Sequence, residues 1–175
     1  MAVMEYVILV DEHDNETGTM EKLQAHLEGK LHRAISVFIF NSKGELLLQQ
    51  RAAGKYHSAN LWTNTSCSHP RPGEQAHDAA VRRLYEEMGM RCQLKEIFGF
   101  VYKAHLENNL TEYEFDHVFT GVSDAIPVPD ASEAAGWKYI GFEELERDIK
   151  LNPGLYTEWF KICLADWRKE LFSAQ

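Results

Sequence analysis

The sequence predicts an α/β sandwich with mixed, largely antiparallel sheets. Three observations predict it. Runs of β-branched and aromatic residues alternate with amphipathic helical patterns. Neighbouring runs are joined by short turns, "SKGE" at 42–45 and "HLENN" at 105–109, which suit hairpins. No regular strand–helix–strand beat recurs, which counts against a doubly wound sheet. At 175 residues, with 45% hydrophobic and 26% charged content, one domain spanning 1–175 is expected.

The elements follow in order. "EYVILVD" (5–11) reads as a strand and "DEHDNETG" (11–18) as a reversal rich in turn formers. "TMEKLQAHLEG" (19–29) puts Met20, Leu23 and Leu27 at helical spacing, with Thr19 as cap and Gly29 as stop. "LHRAISVFIFN" (31–41) is a strand, and "LLLQQR" (46–51) is its hairpin partner. In "EQAHDAAVRRLYEEMGM" (74–90), Ala76, Ala80, Leu84 and Met88 recur every fourth residue, giving an amphipathic helix that Gly89 ends. On it, Arg82/Glu86 and Arg83/Glu87 are i,i+4 pairs, which by themselves read as surface ion pairs. "QLKEIFGFVYKA" (93–104) and "TEYEFDHVFTGV" (111–122) form a second hairpin, and "WKYIG" (137–141) is a short strand. "FEELERDIK" (142–150) and "GLYTEWFKICLADWRKELF" (154–172) are helices, with Pro153 near the start of the last.

Charge narrows the function classes. A net charge of −9 argues against nucleic-acid binding, and an anionic ligand would need a local cationic cluster or a metal. Cysteines 67, 92 and 163 are odd in number and without paired spacing, which points to a reducing cytoplasm rather than a disulfide framework. The N-terminal apolar run is too short to span a membrane and lacks a basic flank. No heptads appear, so a monomer is expected.

Three features carry chemistry. Strand alternation puts Glu112, Glu114 and Asp116 on one face, neighbours roughly 6.6 Å apart, with Tyr113, Phe115, His117 and Phe119 on the other. That acidic face is either solvated, or its carboxylates hold a cation or work as acid and base. Second, His26, His32 and His69 each read alone as surface or capping residues. Together with the glutamates they would make a mixed N/O site suited to octahedral Mn²⁺, Mg²⁺, Fe²⁺ or Co²⁺, or to Zn²⁺. Third, Cys67 in "WTNTSCSHP" sits among polar residues two before His69, an unusual place for a packing cysteine.

The 74–90 helix resembles the Nudix signature, a loop–helix–loop that holds a diphosphate through a metal. Glu74, Arg82, Leu84, Glu86, Glu87, Gly89 and Met90 fall on its positions. Ser68 replaces the first glycine, and Arg83 replaces a glutamate that Nudix hydrolases use around their metals, which counts against hydrolysis. More narrowly, "WTNTSCSHP", "TEYE", "GTMEKLQAHLEGKLHRA" and "LLLQQRAAGKYHSANLWTN" resemble, in order, motifs of the type I isopentenyl-diphosphate Δ-isomerases, a branch of the Nudix fold.

The resemblance covers nearly the whole chain. It implies a Nudix-like α/β/α sandwich and interconversion of isopentenyl and dimethylallyl diphosphate. It implies Cys67 and Glu114 as catalytic groups, and His26, His32, His69, Glu112 and Glu114 as ligands of an inner Mn²⁺, Mg²⁺ or Zn²⁺. Glu87 would hold a Mg²⁺ that arrives with the diphosphate. Lys22, Arg51, Lys55 and Arg83 would contact the diphosphate, and Tyr102 and Trp159 would line the pocket. Read without the resemblance, Trp159 is a core residue sharing a helix face with Leu155, Tyr156 and Cys163. A Nudix hydrolase and a non-catalytic metal or phosphate module are the competing readings.

Overall fold

The computed structural model describes residues 4–173. In chain order the strands are β1 (Tyr6–Val10), β2 (Glu16–Glu21), β3 (His32–Phe40), β4 (Leu46–Arg51), β5 (Trp62–Thr63), β6 (Ser66–Ser68), β7 (Lys95–His105), β8 (Thr111–Val122) and β9 (Ala134–Ile140). The helices are α1 (Lys22–Glu28), α2 (Ala76–Met88), α3 (Phe142–Leu151) and α4 (Glu158–Ser173).

β3 is the hub. It pairs in parallel with β8 from His32↔Glu114 to Phe40↔Val122. β1, β6 and β4 meet it antiparallel in turn, at Leu9↔His32, Ser36↔Cys67 and Phe40↔Leu46. β7 pairs with β8 and β9 with β4, both antiparallel, so β3–β8 is the parallel seam in an otherwise antiparallel sheet.

The alternation of β3 explains the layers. Ile35, Val37 and Ile39, with Leu47 and Phe119, pack on Ala79, Ala80, Leu84 and Met88 of α2. Phe38 and Phe40, with Leu46 and Leu48, face the other way and pack with Leu145 of α3 and with Phe160 and Leu164 of α4. A strand covered on both faces reads as a near-continuous apolar run, as "AISVFIF" does. The result is the expected sandwich of helices around a mixed sheet. Among the described residues, no helix is long and apolar enough to cross a membrane.

Several expectations are corrected. The helix predicted over 19–29 begins only at Lys22. Thr19 is a strand residue opposite Ile8, and Glu21 is the cap, its carboxylate accepting from the N–H groups of Leu23 (3.0 Å) and Gln24 (2.8 Å). Leu23 and Leu27 face outward, 46% and 55% exposed, while Ala25 and His26 are buried. The inner face of α1 meets a polar site rather than an apolar core, so apolar spacing named the wrong side. Two short strands, β5 and β6, lie where the polar stretch 62–68 gave no strand signal. Leu155 is 51% exposed in a 3₁₀ turn ahead of α4, so it does not share a buried helix face with Trp159.

Gly89 ends α2 as expected, at φ 64°. It also lets the 123–133 loop dock, because the Val128 N–H donates to Met88 O (2.8 Å) and the Asp130 N–H to Glu87 O (3.0 Å). A Cβ at position 89 would lie 2.5 Å from the Val128 carbonyl oxygen. Gly89→Ala is therefore expected to destabilise the fold by about 1–3 kcal/mol, lowering Tm by roughly 2–12 °C in a thermal melt.

Candidate active site

The strand register builds the site. His32 opens β3 directly opposite Glu114 of β8, and Ser36 lies opposite Cys67 of β6. Glu112, Glu114 and Asp116 do share a face, and all three are buried, so the solvated reading of that face is excluded. A cavity is lined by Cys67, His69, Glu87, Glu112 and Glu114. Lys22, Arg51, Lys55, Arg83, Tyr102 and Trp159 line it too. His26 and His32, both fully buried, stand behind its wall.

His26, His32, His69 and Glu114 bring one donor atom each to a common centre. The Nδ1 atoms of His26 and His32 lie 2.7 Å from the carbonyl oxygens of Lys22 and Lys30. A carbonyl only accepts, so both Nδ1 atoms carry a proton there and both Nε2 atoms are turned to the common centre. Those Nε2 atoms lie 4.0 and 3.3 Å from Glu114 Oε1, and His69 Nε2 lies 2.9 Å from the same oxygen. His32 Nε2 is 3.3 Å from His69 Nε2. The buried Nε2 of His26 has no hydrogen-bond partner. Imidazole nitrogens and a carboxylate turned on one point are the donor set of a divalent cation, so these residues fit a metal.

The electrostatics agree. Burial lowers the basicity of His26, and it holds the His69 pKa down to about 3, so both are neutral imidazoles, the form that ligates metals. Burial, and then the charge of Glu114, pushes the Glu112 carboxyl well above the ordinary range. Burial works the same way on Glu114, but hydrogen bonds with His32 and His69 outweigh it and hold that carboxyl well below. The Tyr102 hydroxyl lies 3.0 Å from Glu112 Oε2 and 2.5 Å from Glu114 Oε2, and its single proton serves one of them at a time. Two such carboxylates ionise together only with a cation beside them.

Cys67 is half-buried at the cavity wall. Burial first, then the carboxylates of Glu87, Glu112 and Glu114, raise its thiol pKa well beyond the usual range, so it carries its proton. Cys92 and Cys163 are also free, and neither lines this cavity.

The cationic end is formed by residues from four elements or loops. Lys22 Nζ lies 2.7 Å from Glu5, and Lys55 pairs with Glu133. Arg83 Nη2 reaches Glu87 at 2.9 Å and Glu133 at 3.1 Å. Arg51 donates to the carbonyls of Ser58 and His57, both at 3.1 Å, and its guanidinium sits 5.2 Å from the centre of the Trp159 ring.

Sequence reasoning missed three participants, His57, Tyr56 and Glu133. His57 lines the cavity with its Nε2 3.8 Å from Glu112 Oε1, forms a second donor group with His26 and Glu112, and is held neutral, near pKa 3, by burial and Arg51. Tyr56 stands edge-on to it. Asp116 accepts from Ser36 Oγ at 2.7 Å beneath the cavity. Glu133 bridges two of the cations. His57 was visible as the neighbour of Lys55 and Tyr56 in "GKYHSA", but Glu133 in "DASEAAG" carries no local signal.

A model of the NUDIX domain matches residues 30–160. The chain is 54% identical over 158 residues to "Isopentenyl-diphosphate Delta-isomerase 2" of Aromatoleum aromaticum, covering 90% of this chain and 84% of that protein. It is 50% identical over 159 residues to "Isopentenyl-diphosphate Delta-isomerase" of Pectobacterium atrosepticum, covering 91% and 89%. Among solved structures, one from Deinococcus radiodurans superposes with a TM-score of 0.77 at 20% identity, over 94% of this chain and 100% of that one. The MutT protein of Methanosarcina mazei gives 0.61 at 19%, over 82% and 91%. At these identities the structural likenesses establish the fold alone.

Proposed function

The chain belongs to the type I isopentenyl-diphosphate Δ-isomerases, within the NUDIX family, and from that premise we propose how its residues divide the reaction. The enzyme interconverts isopentenyl and dimethylallyl diphosphate. Cys67 and Glu114 are the two proton carriers, one on each face of the allylic unit. One gives a proton to one end of that unit while the other takes a proton from the far end, and the double bond moves by one carbon. Each turnover leaves one carrier a proton short and the other a proton richer, and exchange with water resets them. The observation that carries this reading is that Cys67 and the buried carboxylate of Glu114 line one cavity with a cluster of cations.

His26, His32, His69 and Glu114, with Glu112 from the adjoining group around His26 and His57, would hold the inner divalent metal, whose charge lets both glutamates ionise in one buried pocket. Its identity among Mn²⁺, Mg²⁺ and Zn²⁺ is open to this donor set. Tyr102 orients the two carboxylates through its hydroxyl. Lys22, Arg51, Lys55 and Arg83 hold the diphosphate, and Glu87 faces the Mg²⁺ that accompanies it.

Incubation with isopentenyl diphosphate and Mg²⁺ in D₂O, followed by NMR, tests the reading. Deuterated dimethylallyl diphosphate with no phosphate release is expected. Phosphate release without an allylic isomer would favour the hydrolase reading instead.

Trp159 presents a ring to the cavity where positive charge develops on the alkene carbon. A π face there is worth about 0.5–2 kcal/mol, so Trp159→Leu is expected to lower kcat by about 2–30-fold. Trp159→Phe should recover part of that loss, and steady-state kinetics on both variants checks it.

A further inference from the structure

Three of the four cations lining the cavity, Lys22, Lys55 and Arg83, are already matched with carboxylates, and one of these is not a bystander. The carboxylate of Glu133 binds Lys55 Nζ, and its Oε2 lies 3.1 Å from Arg83 Nη2. The same arginine nitrogen lies 2.9 Å from Glu87 Oε1. Glu133 lines the cavity beside Glu87 and Cys67. Its backbone is fixed on both sides: the Glu133 N–H donates to Asp130 O (2.9 Å), and its carbonyl accepts from the Ala52 N–H (3.0 Å). Asp130 in turn donates to Glu87 O (3.0 Å), which ties the loop to the end of α2.

We propose that Glu133 is a specificity-determining counter-ion, closing the clamp to bare anions and opening it to a diphosphate that brings a divalent cation. The inference rests on the reading of this clamp as the diphosphate site. A bare phosphate or diphosphate would have to separate Glu133 from Lys55 and Arg83. It would then leave Glu87 and Glu133 uncompensated in a confined cavity, an unfavourable exchange. A diphosphate chelating Mg²⁺ offers a partner to every group. Its oxygens take Lys55 and Arg83, and the two carboxylates turn to the cation. The clamp thus discriminates by what the anion carries as well as by its own charge.

The test uses protein with its inner metal site loaded and inorganic diphosphate as the probe, titrated by calorimetry with and without Mg²⁺. Wild type is expected to bind diphosphate far more tightly with Mg²⁺. In Glu133→Gln, bare diphosphate should bind about tenfold tighter or more than in wild type, and the enhancement by Mg²⁺ should shrink by about tenfold or more. Glu133→Asp should restore that enhancement. Glu133→Ser carries the same expectation as Gln and guards against a misfolded variant, with thermal melts reporting the fold.

Glu86→Gln is the charge control, because Glu86 also contacts Arg83 (2.9 Å) but does not line the cavity. In turnover, Glu133→Gln should alter the Mg²⁺ dependence of KM. Equal enhancement by Mg²⁺ in wild type and Glu133→Gln overturns the proposal, as does an equal gain in Glu86→Gln. Wild type that binds no diphosphate under either condition would instead sink the underlying reading of the clamp.

Discussion

Replacing Cys67 with alanine or valine is expected to give a folded protein that still binds isopentenyl diphosphate and turns it over about 10³-fold more slowly or worse. The expectation follows from where the thiol sits and what it carries. Cys67 is a β6 residue held opposite Ser36, so the backbone position survives loss of the sulfur. The cationic clamp and the imidazole cluster are built by other residues, so substrate and metal binding should persist. On the proposed assignment only a proton source on one side of the alkene disappears, and neither substituted side chain can replace it. NMR turnover, calorimetry with the substrate and a thermal melt separate these outcomes. Near wild-type turnover would remove Cys67 from the mechanism.

Glu114→Gln should be as damaging to turnover and should differ from the cysteine variants in a second property. Glutamine keeps the size of the side chain and a carbonyl oxygen for Tyr102, but it removes the negative charge on which His26, His32 and His69 converge. Loss of an outer-shell partner alone weakens metal sites by 10–100-fold, so loss of this ligand is expected to cost about 100-fold or more in affinity. Metal retained after dialysis, and calorimetry with the metal, are the measurements. Cys67→Ala should retain its metal and Glu114→Gln should lose it. A Glu114→Gln protein that keeps both metal and turnover would defeat the assignment.

Much of this was legible in the residues, for identifiable reasons. The strand predicted over 111–122 is β8 with the same bounds, because strict alternation of acidic and aromatic residues leaves one reading. The four residues spaced along 76–88 do pack inward, because an apolar core lies on that side. The same reasoning misassigned α1, where the buried face is an imidazole and an alanine set against a polar site. β6 escaped notice because Ser66, Cys67 and Ser68 are a strand only by virtue of lying beside β3. His57 and Glu133 reach the cavity from loops, where no period links local sequence to distant neighbours.

α1 is seven residues long, below the length at which an isolated helix holds itself together in water. It also hides little apolar surface, so its order is borrowed from its neighbours. On it, four positions apart, ride Lys22 of the clamp and His26 of the imidazole cluster, joined by the bond from His26 Nδ1 to the Lys22 carbonyl. Whatever immobilises the imidazole also immobilises the ammonium group. In the proposed site, metal ligation and anion capture are then cooperative through a single helical turn, and by reciprocity each occupant raises the affinity for the other by the same factor.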